Sequence, residues 1–483
     1  MKRVLLLLLL VSAISTLNAQ PLCQRLDALL QEDVLKTSEV GITVFDLTTG
    51  ESLYRYQDEK LYRPASIEKI ITSVTALAQL GADYTMDTRL CYTGKIENDT
   101  LKGNLYLVGG FDPEFMDEDL SRLVEALEAQ SIRHIADTLA ADVSMTDSVY
   151  WGPGWSWDDT PYSFQPYLSP LMLNRGCVDV SISPTQKDSL PEVICAPISD
   201  YYAIDNRGVS RNPQAGKLKI TRNWLSNGNI ISISGNVTRP YTETLNIYPS
   251  QDFFFHTFIS RLQDKGISAR AYAYADCPTL ASVSAPVSVS VPALDAVNDS
   301  TTVLFTLRRP ISEVLERALK KSDNLCAESM FYHLAVRHAQ HKRVTAEDGT
   351  DAIHAFMKTA LGFNPDNYKI ADGSGVSLYN YISPRLLLGY LKYAYYHRQI
   401  FLPLYHSLPI AGVDGTLQNR MKQGKARGNV RAKTGSVTGV SSLAGYVKAS
   451  NGHQLAFVII NQNVLKLSRA RAFQDKVCHI LAH

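Results

Sequence analysis

The string Ser66-Ile67-Glu68-Lys69 places a hydroxyl three residues ahead of an amine, a step that puts both side chains on one face of a helix. A serine hydroxyl is a weak nucleophile at neutral pH and needs a neighbouring base. An amine that is neutral, or can become neutral, would take its proton. Two further strings carry hydroxyl, amide and amine groups: Ser322-Asp323-Asn324 on a turn between two helical runs, and Lys433-Thr434-Gly435 on a strand, with Ser436 following. Singly, each has a plain structural reading. The first can be a capped helix start with an exposed lysine, the second a helix cap, the third a common turn. Taken one at a time, none of the three strings decides between these readings.

The elements that must position these groups lie at the two ends of the chain. Leu22 to Gln31 reads as a short helix with Leu26, Leu29 and Leu30 on one face. Val40, Ile42 and Val44 alternate with Gly41, Thr43 and Phe45, Thr48-Thr49-Gly50 turns, and Ser52 to Tyr56 continues, which predicts a β-hairpin. Pro64 and Ser66 open a helical run from Ile67 to Leu80. At the far end, Ile311 to Leu319 and Leu325 to Val336 have helical spacing. Val430 to Lys433, Ser441 to Val447 and Gln454 to Asn461 read as strands, and Leu467 to Leu481 as a closing amphipathic helix. A sheet flanked by helices follows, an α/β (α+β) arrangement.

The middle has a different texture. From about 84 to 300 the chain is richer in Thr, Ser, Asn, Pro and Tyr, with short strands such as Leu105 to Val108 and Ile230 to Ile233. Helical patches fall at Leu120 to Ala129 and Phe254 to Leu262, and Lys217 to Val237 looks all-β. The expected organisation is a discontinuous catalytic unit, 20–83 and 301–483, interrupted by an insertion domain, 84–162 and 238–300. That insertion is itself interrupted by a β-rich unit at 163–237.

Composition excludes several classes. A chain of 483 residues is too long for one core. Lys plus Arg number 48 against 47 Asp plus Glu, so no basic surplus suggests nucleic acid. Lys2 and Arg3 precede an aliphatic run from Val4 to Val11, and Leu17-Asn18-Ala19-Gln20 ends the segment. This reads as a signal peptide, 1–19, cleaved after Ala19. Its apolar core is about half the roughly 20 residues a membrane span needs; an uncleaved anchor is the alternative. Cys23 lacks the small residues that precede a lipidated cysteine. The mature chain is therefore expected outside the cytoplasm, with membrane association at most peripheral. The seven cysteines suit an oxidising compartment. Cys177 with Cys195, or Cys23 with Cys478, are candidate pairs, and Cys326 reads as a small buried thiol.

Ser-x-x-Lys, Ser-Asp-Asn and Lys-Thr-Gly are jointly the signature of penicillin-binding proteins and class A β-lactamases. Ser322 follows Ser66 by about 250 residues, where a β-lactamase has only a small helical domain. The flanking strings are Leu107-Val108-Gly109-Gly110-Phe111-Asp112-Pro113, Gly154-Trp155-Ser156-Trp157-Asp158-Asp159, Asp372-Gly373-Ser374-Gly375 and Ala411-Gly412-Val413-Asp414-Gly415-Thr416. With Arg431-Ala432-Lys433-Thr434-Gly435-Ser436 they closely resemble the S13 peptidases, the class C low-molecular-mass penicillin-binding proteins of type 4, from about residue 23 to 480. The resemblance implies a penicillin-binding, β-lactamase-like transpeptidase domain, an antiparallel sheet flanked by helices, with a large two-part β-rich insertion. It also implies a periplasmic serine DD-peptidase with no cofactor and no metal. Such an enzyme hydrolyses D-Ala-D-Ala ends or D-Ala cross-links of peptidoglycan stem peptides through an acyl-serine, and β-lactams inhibit it.

Carried onto this sequence, Ser66 would be the nucleophile and Lys69 its base. Ser322 would relay a proton to the leaving D-alanine, and Asn324 would hold the substrate amide and the lysine. Lys433 and Thr434 would bind the terminal carboxylate on the strand that Gly435 and Ser436 continue. Backbone N–H groups of Ser66 and Ser436 would form the oxyanion hole, one such donor contributing about 3–4 kcal/mol. Ser436 stands where the family usually has Thr. Leu378 stands where many relatives carry an Arg that contacts the stem-peptide side chain together with an Asp from the insertion. Asp142 is the match for that Asp, and it also reads as a turn residue.

Other readings were weighed. His333, His338 and His341 could suggest a metal-dependent peptidase. No carboxylate stands in a zinc-protease arrangement, and histidines near a helix C-terminus complement its dipole at the surface. Trp155 and Trp157 read as buried anchors of the insertion, with a carbohydrate platform as the alternative. A β-lactamase, or a penicillin-binding scaffold or sensor that does not turn over, are the alternative functions.

Overall fold

Runs such as Val40 to Phe45 and Leu455 to Ile460 are apolar at almost every position, which suits strands covered on both faces. In the computed structural model, which describes residues 21–278 and 301–483, these runs form the middle of a five-stranded sheet. The expected signal peptide and its cleavage site lie outside the described residues. The unit around this sheet comprises α1 (Leu22–Leu29), β1 (Glu39–Asp46), β2 (Glu51–Tyr56), α2 (Glu68–Gln79), α3 (Ile311–Lys320), α4 (Asn324–Ala339) and α5 (Ala346–Leu361). It continues with α6 (Pro384–Tyr396), α7 (Arg398–Ser407), β3 (Arg431–Val437), β4 (Val440–Lys448), β5 (Gln454–Gln462) and α8 (Leu467–Leu481). Strand order is β3-β4-β5-β1-β2, antiparallel throughout.

Alternation along the strands divides two cores. Val40, Ile42, Val44, Leu443, Phe457 and Ile459 face α1 and α8. Phe45, Ala444, Tyr446, Val458 and Ile460 face the helical side, whose centre is α2. Every residue of α2 from Glu68 to Leu77 is buried, charged ones included. A helix enclosed on all sides holds its side chains in fixed places, and Lys69 is on it.

The insertion leaves after α2 and returns before α3. It is built on a seven-stranded sheet with Thr85–Tyr92, Leu105–Val108 and His134–Asp142 near its centre, covered by helices Asp117–Ala129 and Ser250–Asp264. Within it a nested unit has two three-stranded sheets. Two strand pairings cross the expected boundaries. Thr302–Pro310 pairs antiparallel with Thr85–Tyr92, with a register shift between Val303 and Phe305, and α3 follows directly from Ile311. Tyr241–Asn246 pairs with Cys177–Ser183, which carries the nested unit to 246. Each strand is assigned by a partner far away in sequence, which local composition does not register.

The suggested disulfides are not formed. In the nested unit Val180, not Cys177, stands opposite Cys195, and three rungs along a strand is about 10 Å, beyond the reach of an S–S bond. Cys23 is exposed, with its thiol on the Leu53 carbonyl, whereas Cys478 is buried in the core under the sheet.

Candidate active site

The nucleophile sits on a clamped turn. Ala65–Ile67 forms a single 3₁₀ turn that runs into α2, so Ser66 stands at the positive end of the helix. Ala65 has φ +50°, a left-handed conformation that costs a residue with a Cβ about 1 kcal/mol or more. Neighbours hold it there. Ser442 Oγ donates to the Pro64 carbonyl at 2.6 Å. Gly375 lies so close that a Cβ on it would fall 2.1 Å from the Ala65 carbonyl oxygen.

Lys69 Nζ has three partners: Ser66 Oγ at 3.0 Å, Asn324 Oδ1 at 2.7 Å and the Ser374 carbonyl at 2.7 Å. The last two only accept. Asn324 is oriented by its other end, because Nδ2 donates to the Phe164 carbonyl at 2.7 Å. A neutral amine has two hydrogens and one lone pair. With both hydrogens on those acceptors, its lone pair faces the serine hydroxyl. Burial lowers the Lys69 pKa to about 8, while the carboxylates of Asp372 and Glu328 pull the other way.

The second string forms the opposite wall. Asp323 caps α4 through Cys326 N–H and binds the Arg317 guanidinium, which fixes Ser322 in a left-handed turn (φ +60°) and puts Asn324 in the first turn of the helix. Lys433, on edge strand β3, bonds Ser322 Oγ at 2.8 Å and the Thr434 carbonyl at 2.7 Å. Burial, with the Lys69 charge added, holds its ammonium well below the usual lysine range. Thr434 Oγ1 donates to Thr416 Oγ1 at 2.7 Å, and Ser436 Oγ accepts from Arg471. Gly435 lies against the nucleophile turn, where a Cβ would be 3.0 Å from Ser66 N. Ser66, Lys69, Ser322, Asn324, Lys433, Thr434, Gly435 and Ser436 are thus assembled in one cleft.

Behind it lies a buried acidic hub. Asp372 accepts from Trp155 Nε1, Ser374 Oγ, Gly375 N, Ser377 N and Asn380 Nδ2. These bonds shape the loop that supplies the Ser374 carbonyl and tie it to the insertion. Glu68 and Glu328 are buried beside it. Burial, then the Asp372 charge, raises Glu68 well above the carboxylate range and Glu328 to about 8. Asp372→Ala leaves five donors without their acceptor, and the expected result is a loss of about 3–4 kcal/mol of unfolding free energy in a denaturant titration.

Other residues singled out in the sequence fall elsewhere. Asp142 ends a strand of the insertion, buried, with one carboxylate oxygen on Ser144 N–H and the other on Cys277 N–H. Those bonds fit a turn residue, and neither is to one of the residues gathered around Ser66. The guanidinium at Leu378 is that of Arg63, whose Nε donates to the Leu378 carbonyl at 3.0 Å. His333 is buried, not at the surface, between Tyr84 Oη and the Gly110 carbonyl, and burial lowers its pKa to about 4. Cys326 is buried, near Glu114 and Asp323, but Arg175 and Arg317 already pair with those carboxylates. Trp155 is an anchor on Asp372, whereas Trp157 is exposed. Phe164 joins the site through its carbonyl without a local signal that would have named it, whereas Thr416 closes the string Ala411 to Thr416 that carries part of the resemblance.

The D-Ala-D-Ala carboxypeptidase 3 (S13) family profile matches residues 22–483. A D-alanyl-D-alanine carboxypeptidase of Actinomadura sp. (strain R39) is 29% identical over 459 residues, 90% of this chain and 80% of that protein. The D-alanyl-D-alanine carboxypeptidase DacB of Haemophilus influenzae is 27% identical over 439 residues, 89% of this chain and 86% of that protein. The crystal structure of penicillin binding protein 4 (dacB) from H. influenzae superposes with a TM-score of 0.77 at 25% identity, covering 94% of this chain and 97% of that one. A second structure of that protein, complexed with a β-lactam, has the same fold (TM-score 0.73, 23% identity, covering 94% and 98%).

Proposed function

Since this chain belongs to the D-Ala-D-Ala carboxypeptidase 3 (S13) family, we propose that its serine DD-peptidase reaction is carried by Ser66 as nucleophile and Lys69 as base. One observation carries this assignment: two of the three Lys69 partners can only accept, so the neutral amine aims its lone pair at Ser66 Oγ. Ser66 Oγ gives its proton to Lys69 and attacks the carbonyl of the penultimate D-alanine. The oxyanion is held by backbone N–H groups of Ser66 and Ser436, at a helix start and an edge strand. Ser322, bonded to Lys433, passes a proton to the leaving amine. Asn324 holds the peptide amide, and Thr434 and Lys433 receive the terminal carboxylate. Water then opens the acyl-serine.

Terminal D-Ala-D-Ala and D-Ala cross-links of stem peptides are both substrates of this reaction, and β-lactams acylate the same serine. The penicillin-binding protein of H. influenzae complexed with a β-lactam supports this reading. We place the reaction in the periplasm after removal of residues 1–19. No helix among the described residues is long and apolar enough to cross a membrane.

The test is release of D-alanine from a soluble peptide ending in D-Ala-D-Ala, followed against pH. Lys69 acts as a base only when neutral, and its pKa is lowered to about 8. Acylation should therefore rise about tenfold per pH unit up to about pH 8 and level off above it. A profile flat from pH 6 to 9 would remove Lys69 from the role of base.

A further inference from the structure

Trp157 is left out of the core. It is 71% exposed, its ring lies 5.5 Å from that of half-buried Trp224 at 35°, and Leu225 beside the pair is 78% exposed. Large apolar surface in water marks an interaction site when the protein holds it there. The backbone beside each ring is tied down by buried polar groups. Trp157 stands in a turn whose Ser156 carbonyl accepts from buried Gln165 Nε2 at 2.9 Å. Trp224 follows Arg222, whose buried guanidinium bonds Asn246, the Gly228 carbonyl and Tyr167 Oη.

The same bonds reach the cleft. Asn246 Nδ2 donates to the Gln165 carbonyl at 2.8 Å, and the residue before it, Phe164, gives its carbonyl to active-site Asn324. The aromatic pair and the catalytic asparagine are therefore fixed to one strap. Around the pair, exposed Asp158, Asn223, Ser226 and Asn227 offer carboxylate, amide and hydroxyl groups.

We propose that Trp157 and Trp224 form a stacking platform for the amino-sugar glycan strand that bears the stem peptide, an inference that rests on the peptidoglycan reading above. Chair-form β-linked sugars present flat faces of C–H groups that pack on indole rings. Their hydroxyl and acetamido groups project at the edges, where the amides and carboxylate lie. A platform beside the cleft, not in it, suits a substrate whose scissile bond is at one end of a peptide and whose sugar is at the other.

The test compares native protein, Trp157→Ala, Trp224→Ala and Trp157→Tyr on two substrates: a soluble glycan-free D-Ala-D-Ala peptide, and the same peptide carried on glycan strands of several disaccharides. The Ala variants should raise KM for the glycan-borne substrate about tenfold, or about 1.4 kcal/mol, leaving kcat and all kinetics on the free peptide unchanged. Trp157→Tyr should retain most of the effect. Peptide-free glycan strands should quench the tryptophan fluorescence of the native protein and not of Trp157→Ala. Equal losses on both substrates, no loss on either, or no binding of peptide-free glycan overturns the platform; the last leaves a protein partner for the pair. If native protein cleaves neither substrate, the peptidase reading fails instead. Glycan quenching then decides the platform alone, its presence supporting the proposal and its absence overturning it.

Discussion

Replacing Lys69 by methionine is expected to slow acylation of Ser66 by about 10²- to 10⁴-fold, the range that a positioned base contributes. The thioether fills the buried channel but accepts no proton. Lys69→Arg is the sharper variant, because it keeps a long cationic side chain. A guanidinium stays protonated at any pH where the protein is folded, so it cannot serve as the base. The expected result is near-equal loss in both variants, measured as the second-order rate of β-lactam acylation, with circular dichroism unchanged. Recovery in Lys69→Arg would mean that the lysine acts through its charge, not its lone pair.

Gly435→Ala is expected to have the second largest effect, through backbone geometry alone. An added Cβ would stand 2.1 Å from Ser442 Oγ, 2.8 Å from the Pro64 carbonyl and 3.0 Å from Ser66 N. Ser442 is the residue that clamps the nucleophile turn. Strand β3 must therefore move away from Ser66, and the two N–H groups proposed for the oxyanion leave register. Acylation should fall about 10²- to 10³-fold, the cost of losing one oxyanion donor. The strain should lower unfolding free energy by only about 1–3 kcal/mol. Rapid-quench acylation with a thermal melt on the same sample separates the two. Full activity with a lowered Tm would place the oxyanion site elsewhere.

Much of the catalytic unit is legible in the sequence because its elements are strongly patterned. The run Val40 to Phe45 becomes β1, Leu467 to Leu481 becomes α8 at the same residues, and the helical run after Pro64 becomes α2. Helices α5 and α6 are absent from the expectation, although Thr345 with Asp348 forms a capping box and Ser383-Pro384 opens α6. Those signals carry no chemistry, and a reading led by motifs passes over them.

The site divides the same way. Eight of the named residues meet in one cleft because each lies within a short string with its own local geometry. What was not legible comes from distant packing. Asp142 is spent on Ser144 and Cys277, a partner 135 residues away. Phe164 reaches Asn324 from the insertion, through a backbone carbonyl that no side-chain pattern announces. Glu68, a charged residue one position before Lys69, is expected at a surface by type alone, yet α2 is enclosed on all sides. Trp155 and Trp157 are two residues apart with opposite fates, one tied to Asp372 and one in water.

The central claim is that Ser66 is the residue acylated. Native protein and Ser66→Ala, incubated with a fluorescent penicillin and read by intact mass, test it directly. The expected result is one stable covalent adduct per native chain and none on Ser66→Ala. An adduct of equal yield on Ser66→Ala, or no adduct on a folded native protein, would contradict it.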